Sequence, residues 1–443
     1  MTIQFLMDAW EDAENDAPEI CKTAGSLRIV VGPRSLTRNE DRWSQTVKQT
    51  VRVAAYPLAQ WLAASWWRLM YEPLPIGDKA PTSWRMAHEV SAAGCGFLWP
   101  RIVLASDGEN LQVWSAPTRE GSEQPVRYLT DWHGTAPVQG FADAVDDFMG
   151  LVLDRLDAVG LGSTDLAGLW REILEERKDP ELSAFRRMEA TLGFEPDEFD
   201  AAIVERFVGL RESIGSSAPE EIASACSSGD PLVQLERVQR VAEMEGMPGR
   251  LSLPKIEEPA VDHRGQPPWA RGQALAQSLR DTLGLNGHAI RDPELSDLVG
   301  LSPKAFHESA GADRLPLGVA IRGAGDTVKF VLRKRNPAGR RFEFARLICD
   351  HLLFGACDTW LPATDTKTIR QKWQRAFAAE FLCPIDALVT RLGDDLSDDS
   401  VEDAADHFGV SEMTVASQLV NHGVLTASAL DEKPGESGFP YVI

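Results

Sequence analysis

The chain has 443 residues, of which 43% are hydrophobic and 25% are charged, and its formal net charge is −22. This length predicts several domains of ordinary globular composition. No apolar run is long enough to cross a membrane, and the acidic N-terminus lacks the basic and apolar regions of a signal peptide. The negative charge argues against a nucleic-acid partner; it favours a basic protein partner, or serves solubility alone. We expect a cytoplasmic protein whose six scattered cysteines are buried free thiols.

Residues 1–135 are predicted to form an α+β domain rich in aromatic side chains. Nine of the thirteen tryptophans fall in this segment, and we interpret most of these rings as core, because large aromatic side chains bury much surface each. Ser106-Asp107-Gly108 lies between two apolar runs and predicts a hairpin, because Asp-Gly tolerates the positive φ of a tight turn. The predicted elements are strands at Leu27–Gly32, Val51–Ala55, Arg101–Ala105, Leu111–Ser115 and 126–130, and a helix at Leu58–Met70.

Residues 140–247 change to helical spacing and are predicted to form an all-α connector that carries no chemistry. Thr164 and Asp197 are the predicted helix caps of this segment. A proline-rich stretch at 248–270 lacks periodicity and predicts a linker, and residues 429–443 are predicted to be a loose tail. The predicted helices of the connector are 141–156, 166–177, 181–192, 197–214 and 218–225.

The remaining residues show a more specific order of elements. A helix at Ala274–Leu283 precedes a short segment at Asp292–Gly300, a polar strand at Asp326–Arg333 and a turn at Asn336–Gly339. The motifs that follow are Arg341-Phe342-x-x-Ala345 at the head of a helix, Phe377-Ala378-Ala379-Glu380-Phe381-Leu382-Cys383-Pro384 in a later helix, and Phe408-Gly409-Val410-Ser411.

These motifs resemble the ImmA/IrrE family of zinc metallopeptidases. Its members carry Arg-Phe-x-x-Ala before a His-Glu-x-x-His helix, then a helix reading Phe-Ala-Ala-Glu-Leu-Leu-x-Pro and a Val-Ser-containing helical unit. The resemblance covers about 155 residues, roughly a third of the chain. It implies an α+β, multidomain protein in which 271–393 form a mainly helical metallopeptidase-like domain with a small sheet. Residues 394–428 would follow as a helix-turn-helix-like unit.

The resemblance also implies that the peptidase chemistry is missing. In the family two histidines at i and i+4 hold zinc, and the glutamate beside the first acts as base. Arg346, Leu347 and Asp350 stand at these three positions. An arginine repels a metal cation and a leucine takes no proton. The third, acidic ligand would fall within 371–374, which reads Gln-Lys-Trp-Gln. We therefore predict a degenerate site that holds no metal and no other cofactor.

A rebuilt metal site is the first alternative. It would draw on Asp350, His351 and Glu380, with Cys349, Cys357 and Cys383 as further donors. Asp350 and His351 are adjacent, so on a helix they point about 100° apart and share a metal poorly. A second sequence, His88-Glu89, begins like the zinc motif, but Ala92 stands at i+4 and we interpret the dipeptide as accidental.

DNA binding is the second alternative. Val401–Leu425 has helix-turn-helix rhythm, and Gln418, Asn421 and His422 would be its base-reading side chains. Its second helix carries no Lys or Arg, and the approach to it is acidic, so we expect poor phosphate binding and interpret the unit as a packing module. The basic residues that precede the degenerate helix form a cluster that either binds a partner or lies at a solvated turn: Arg333, Lys334, Arg335 and Arg340.

The function expected from the sequence is that of a non-catalytic interaction or regulatory scaffold. A fold built to grip a peptide can keep its cleft after it loses its metal. The resemblance implies stress response, mobile-element control or phage defence as the setting. A divergent metal-dependent protease and a transcriptional regulator are the two competing hypotheses.

Overall fold

The computed structural model describes residues 1–14, 16–77, 79–227, 229–256, 267, 269–307 and 315–425. The predicted tail lies outside the described residues, as does part of the predicted linker. The chain folds into two compact units, and the boundary between them lies between Val208 and Gly209. This division falls inside the predicted helical connector, whose helices before residue 208 belong to the first unit and whose later helices belong to the second.

Among its described residues, the first unit contains three small antiparallel sheets. The largest has β2 at its centre. β2 pairs with β1 along most of its length, with β6 through residues 24–27, and with β3 through Val30 and Val31. The second has the order β10-β8-β7 and the third β5-β4-β9. The strands are β1 (Ile3–Glu11), β2 (Ala24–Val31), β3 (Arg34–Ser35), β4 (Asn39–Asp41), β5 (Thr46–Lys48), β6 (Val51–Ala54), β7 (Arg101–Ser106), β8 (Asn110–Ala116), β9 (Val126–Tyr128) and β10 (Trp132–Pro137).

The predicted hairpin is confirmed as β7 and β8. Asp107 accepts hydrogen bonds from the backbone N–H groups of Glu109 and Asn110 through one carboxylate oxygen, at 3.1 and 2.7 Å. Gly108 between them has a φ of 108°, which an L side chain rarely adopts. Local turn chemistry therefore fixes the register of this strand pair, as the sequence indicates.

Helices pack on these sheets around one aromatic-rich core. Trp66 and Trp67 are 2% and 3% exposed, and the predicted core role of most tryptophans is confirmed, although Trp43 is 90% exposed. The helices are α1 (Pro18–Lys22), α2 (Ala55–Ala64), α3 (Trp66–Tyr71), α4 (Thr82–His88), α5 (Val138–Ala158), α6 (Asp165–Lys178), α7 (Pro180–Thr191) and α8 (Ala201–Gly209).

Two local predictions in the first unit are wrong. The single helix predicted at Leu58–Met70 is two helices, since the chain leaves α2 at Ser65, whose φ and ψ are −92° and 5°. Asp197 caps no helix: its φ is +62°, and its carboxylate accepts hydrogen bonds from Arg186. Asp200 instead accepts from the N–H of Ala202 at the start of α8. The cap prediction at Thr164 is confirmed by its bond from Ala167.

The second unit contains one four-stranded antiparallel sheet of order β11-β13-β12-β14. Its strands are β11 (Met247–Arg250), β12 (Gly318–Arg322), β13 (Thr327–Val331) and β14 (Trp360–Ala363). The predicted linker thus begins inside a strand that pairs with β13. The predicted turn at Asn336–Gly339 is wrong as well, because Asn336 caps a helix and Pro337 opens it.

The helices of the second unit surround this sheet. Gly272 lets two of them approach closely, because a Cβ at this position would lie 2.2 Å from the carbonyl oxygen of Trp373. The helices are α9 (Arg211–Ile214), α10 (Ala218–Cys226), α11 (Pro231–Glu243), α12 (Ala270–Thr282), α13 (Asp292–Val299), α14 (Pro337–Phe354), α15 (Ile369–Leu382), α16 (Ile385–Leu392), α17 (Asp398–Phe408) and α18 (Glu412–Asn421).

Arg341 joins three of these helices. It lies near the start of α14, is 6% exposed, and donates to the carbonyl oxygens of Ile290 and Gly409 at 2.6 and 3.0 Å. It also pairs with Asp292 at the start of α13. The end of α17 is therefore fixed against α14.

The protein is an α+β, multidomain chain, as predicted from its sequence. Among the helices of the described residues, none combines the length and the apolar character needed to span a bilayer. The core of the second unit lies between its sheet and α14, α15 and α17, and its largest fully buried rings are phenylalanines.

Candidate functional site

The three residues that the resemblance predicts to form a degenerate metallopeptidase site lie on α14, and α15 packs beside it. Arg346 and Asp350 are one turn apart on the same face and are 3% and 0% exposed. Leu347, at the position predicted for the base, is fully buried in the apolar core. Arg346 and Asp350 both bond to side chains of α15, whereas Leu347 packs among apolar residues.

Asp350 is bound by an arginine of α15. Arg370 donates from Nε and Nη2 to the two Asp350 carboxylate oxygens, at 2.8 and 2.6 Å. The same guanidinium donates to Asp358 at 2.6 Å and to the Ser217 hydroxyl at 3.0 Å. It also stacks on the ring of Phe354, 4.0 Å from the ring centroid. This is a fully buried, bidentate ion pair with a second acid on its other side.

Arg346 takes part in a second buried network. It donates to the carbonyl oxygen of Thr364 at 2.6 Å and to the side-chain oxygen of Gln371. Gln371 in turn donates to Glu221 of α10 at 2.9 Å. The Thr368 hydroxyl also donates to Glu221, at 2.9 Å. The residues that stand near the metal positions are therefore bonded to one another.

Burial controls the ionisation of these groups. Complete burial raises the pKa of Asp350, and the charge and hydrogen bonds of Arg370 oppose that shift. Burial likewise raises the pKa of Glu221, against the charge of Arg370 and a hydrogen bond from Gln371. The pKa of Arg370 is raised, since its bonds to Asp350 outweigh its own desolvation. Arg370 is therefore cationic at neutral pH.

The candidate donors for a rebuilt metal site do not converge. Glu380 accepts hydrogen bonds from Gln277 at 3.2 Å, from Gln418 at 3.1 Å and from the N–H of Ile385 at 3.3 Å. His351 is half-buried, and burial and the charge of Arg322 lower its pKa. Over the part of the chain that the structure describes, no three His, Cys, Asp or Glu side chains lie together as ligands would.

The cysteines proposed as further donors are dispersed as well. Cys349 and Cys383 are buried in the apolar core, and burial raises the pKa of Cys383 to about 12. Cys357 is exposed at the end of α14 and contacts the carbonyl oxygen of Phe354. The expectation that all six thiols are buried is wrong for Cys95 and Cys357.

His88, in the first unit, has a structural position. Its Nδ1 lies 2.7 Å from the carbonyl oxygen of Leu104 and its Nε2 lies 2.9 Å from Glu72. Its ring is fully buried and stacks on Trp84, with 4.1 Å between centroids. Both ring nitrogens have protein partners, which agrees with the interpretation of His88-Glu89 as an accidental match.

The basic cluster is divided by the fold. Arg340 is 3% exposed and donates to the carbonyl oxygen of Ala305 at 2.6 Å. Arg333 forms a bidentate pair with Asp365, at 2.5 and 2.7 Å. Lys334 and Arg335 are exposed. The four residues therefore do not form one surface.

The helix-turn-helix-like unit is present as α17 and α18, joined at Gly409 with a φ of 63°. Gln418, a predicted base-reading residue, is 3% exposed and donates to Glu380 and to the carbonyl oxygen of Cys383. His422 lies 2.6 Å from the amide nitrogen of Gln273. Through these contacts α18 packs against other helices of the second compact unit.

A basic cavity opens beside the degenerate helix. Its volume is about 450 Å³, and α14, α15 and α18 contribute to its walls. Five of its lining residues are basic and one is acidic: Lys334, Arg346, Lys367, Lys372, Arg375 and Asp365. Asp365 is already paired with Arg333. In a chain with a net charge of −22, this concentration of positive charge is a local exception.

The cations of this cavity repel one another. Burial and then the charges of Arg375 and Lys372 lower the pKa of Lys367. Burial and then the charge of Arg346 lower the pKa of Arg375 to about 9, so it stays protonated at neutral pH. The Nε of Arg346 is buried and has no hydrogen-bond partner among the described residues. The cavity is thus electropositive, and one of its buried donors is unsatisfied.

Sequence reasoning missed most of this site. Glu221 lies more than a hundred residues before Arg346, and only folding brings it to Gln371. Lys372 and Arg375 were visible as basic residues three apart, close after Lys367 and just before the helix predicted from Phe377. That spacing was the available signal for a positively charged helix face.

Comparison of the chain with models of protein families, with curated proteins and with solved structures found no match.

Proposed function

We propose that the protein is a non-catalytic, ImmA/IrrE-like regulatory or interaction scaffold, whose peptidase-like domain binds a ligand without cleaving it. The observation that carries this proposal is the buried pair of Asp350 and Arg370. The one acidic residue at a degenerate metal position is neutralised through both of its oxygens.

The pair opposes metal binding in two ways. A carboxylate ligates a metal through oxygen lone pairs, and here the guanidinium fork occupies both oxygens. A divalent cation at this position would also lie beside the positive charges of Arg346 and Arg370 in a buried environment, where charge repulsion is strong. The base is lacking too, because Leu347 stands in its place. The proposal therefore excludes metal-dependent hydrolysis at this helix.

The setting that we propose is the cytoplasm, in stress response, mobile-element control or phage defence. None of the six cysteines, all of which are described, forms a disulfide, and this supports a reducing compartment. The net charge of −22 supports a basic protein partner.

The test is metal content together with hydrolysis. The full chain is dialysed without chelator, and its transition metals are counted by mass spectrometry; we expect less than about a tenth of a metal per chain. In parallel, incubation with unstructured protein substrates and added zinc should release no peptides.

About one metal per chain would overturn the proposal, if that metal is lost on Asp350→Asn and kept on Asp386→Asn, an exposed acid of the neighbouring α16. Zinc-dependent release of peptides by the unaltered chain would overturn it as well.

A further inference from the structure

We infer that the basic cavity between α14, α15 and α18 binds a nucleoside polyphosphate, with its phosphates on the Lys and Arg side chains and its base on the aromatic wall. This inference deepens the proposed function and rests on it in one respect, namely that the ligand is held and not consumed. It assigns the ligand by chemical class.

The charge of the cavity selects a polyanion. Five basic side chains line the cavity, and the one acidic residue among the lining residues, Asp365, is already paired with Arg333. A single carboxylate would leave most of these cations without a counter-charge, whereas a diphosphate or triphosphate presents several negative charges within one chain of atoms. Charge-assisted hydrogen bonds from Lys and Arg to phosphate are among the stronger hydrogen bonds in proteins.

The buried arginine adds positive charge to the cavity wall. Arg346 is 3% exposed and lines the cavity. Water screens a buried charge poorly, so an anion in the cavity would be attracted strongly to this guanidinium. The position at which the resemblance expects a zinc ligand therefore carries a cation here.

Lys367 is a second donor whose charge is not used elsewhere. It is half-buried, and among the described residues it forms no ion pair. Its ammonium group lies in the field of other cations, which an anionic ligand would relieve. Among the described residues, replacing this lysine removes no side-chain hydrogen bond or ion pair of the second unit, so it is a suitable residue for a test.

The other walls suit a nucleoside. Trp269 and Phe342 line the cavity and are half-buried, so each offers part of an aromatic face for a base to stack on. Thr414, Ser417 and Asn421 of α18 contribute neutral polar groups that can bond a ribose or a base edge. A volume of about 450 Å³ is within the usual range for small-molecule sites, roughly 300–1,000 Å³.

The global charge does not prevent this binding. The Debye length at physiological ionic strength is about 8 Å, so the distant surface acids of the chain are largely screened from a ligand inside the cavity. Local cations then decide the sign of the potential. We accordingly expect affinity to fall as salt is raised.

The experiment is calorimetric titration of the full, chelator-treated chain with ATP, ADP, pyrophosphate and adenosine at low salt. We expect one ATP or ADP per chain, with pyrophosphate weaker than ADP and adenosine about a hundredfold weaker or worse. Lys367→Gln should weaken ADP about tenfold or more. Lys304→Gln, an exposed lysine outside the cavity, is the matched control and should bind as the unaltered chain does.

Three outcomes would overturn the inference: no saturable binding of any phosphate compound at millimolar concentration, equal affinities of Lys367→Gln and Lys304→Gln, or pyrophosphate binding as tight as ADP. Circular dichroism of both variants confirms that loss of binding is not loss of fold. Phosphorus NMR after the titration separates the two proposals. Intact nucleotide supports both. Hydrolysed nucleotide overturns the non-catalytic function and the part of this inference that rests on it, namely that the ligand is held and not consumed, whereas the place of binding is still decided by the two lysine variants. Absence of binding from a metal-free, inactive chain overturns only this inference.

Discussion

Replacing Arg370 with methionine removes the guanidinium that lies between two buried carboxylates. The side chain makes four hydrogen bonds, two to Asp350 and one each to Asp358 and the Ser217 hydroxyl. Both aspartate side chains are 0% exposed. Without the guanidinium, both carboxylates lose their charged partner, and because they are buried no water can take its place.

The expected loss of stability is about 3–5 kcal/mol, the usual cost when one partner of a buried ion pair is removed. That loss raises the unfolding equilibrium constant by about two to three and a half orders of magnitude. Arg370→Lys should fall between the variant and the unaltered chain, because an ammonium keeps the charge and loses the bidentate fork. Arg391→Met, at an exposed arginine of α16, should change stability by no more than about 0.5 kcal/mol.

Cys349 offers a local assay of this unit. It is fully buried in α14, directly beside Asp350, so its thiol reacts only when the helix opens. Pulsed alkylation along a urea gradient, followed by mass spectrometry of the Cys349 peptide, gives the free energy of opening for this unit alone. A loss of less than about 1 kcal/mol for Arg370→Met, or an equal loss for Arg391→Met, would refute the reasoning.

The pH dependence gives a second check on the same variant. Burial already raises the pKa of Asp350, so the folded protein holds a proton there more tightly than the unfolded chain does. A group of this kind stabilises the fold below its unfolded pKa, and that contribution is lost as pH rises through the folded pKa. Removing Arg370 takes away the charge and hydrogen bonds that oppose this shift, so the pKa of Asp350 rises further. The deficit of Arg370→Met should therefore shrink as pH falls from 8 towards 5.

Three further predictions concern other parts of the chain. His88→Ala should lower the stability of the first unit by about 2–4 kcal/mol, since it removes two buried hydrogen bonds and a stacked ring, whereas exposed His133→Ala should have little effect; urea unfolding followed by tryptophan fluorescence measures both. A thiol reagent should label Cys95 and Cys357 in the folded protein and all six cysteines after unfolding, and labelling of a buried cysteine at the same rate would contradict the packing. The pKa of Asp41, lowered by its bonds to a lysine and to a serine, is about 2, so its stabilising contribution is present above its ordinary pKa of 3.8 and is lost as pH falls through about 2; NMR titration of its carboxyl carbon checks this, and a midpoint near 4 would contradict it.

The sequence predicted elements whose signals are local. The hairpin of β7 and β8 follows from Asp107-Gly108, and α5 follows from apolar residues at helical spacing. Thr164 was recognisable as a cap because its side chain reaches only the first turn of its own helix. Other elements were missed, among them β1, β14 and α16, although Ile385, Leu388 and Leu392 of α16 stand at helical spacing.

Errors arose where tertiary contacts overrode a local pattern. Ser65 interrupts a run of helix-forming residues, and the two tryptophans that follow it at the head of α3 are both buried. Asp197 has the side chain of a cap, but its carboxylate is bonded to Arg186. In each case the free energy of the tertiary contacts exceeded the local helix preference, which is less than about 1 kcal/mol per residue.

By itself, the sequence determined the α+β class, the aromatic core of the first unit and the residue types at the degenerate positions. From the family resemblance it predicted that Arg346 and Leu347 replace groups that metal chemistry needs. Only the tertiary structure decided what those residues do instead. The pairing of Asp350 with Arg370, and the gathering of five cations around one cavity, join residues from separate helices and loops. Such contacts depend on how α14, α15 and α18 pack, and a hydrophobic pattern specifies which face of a helix is buried but not which charged partner it meets.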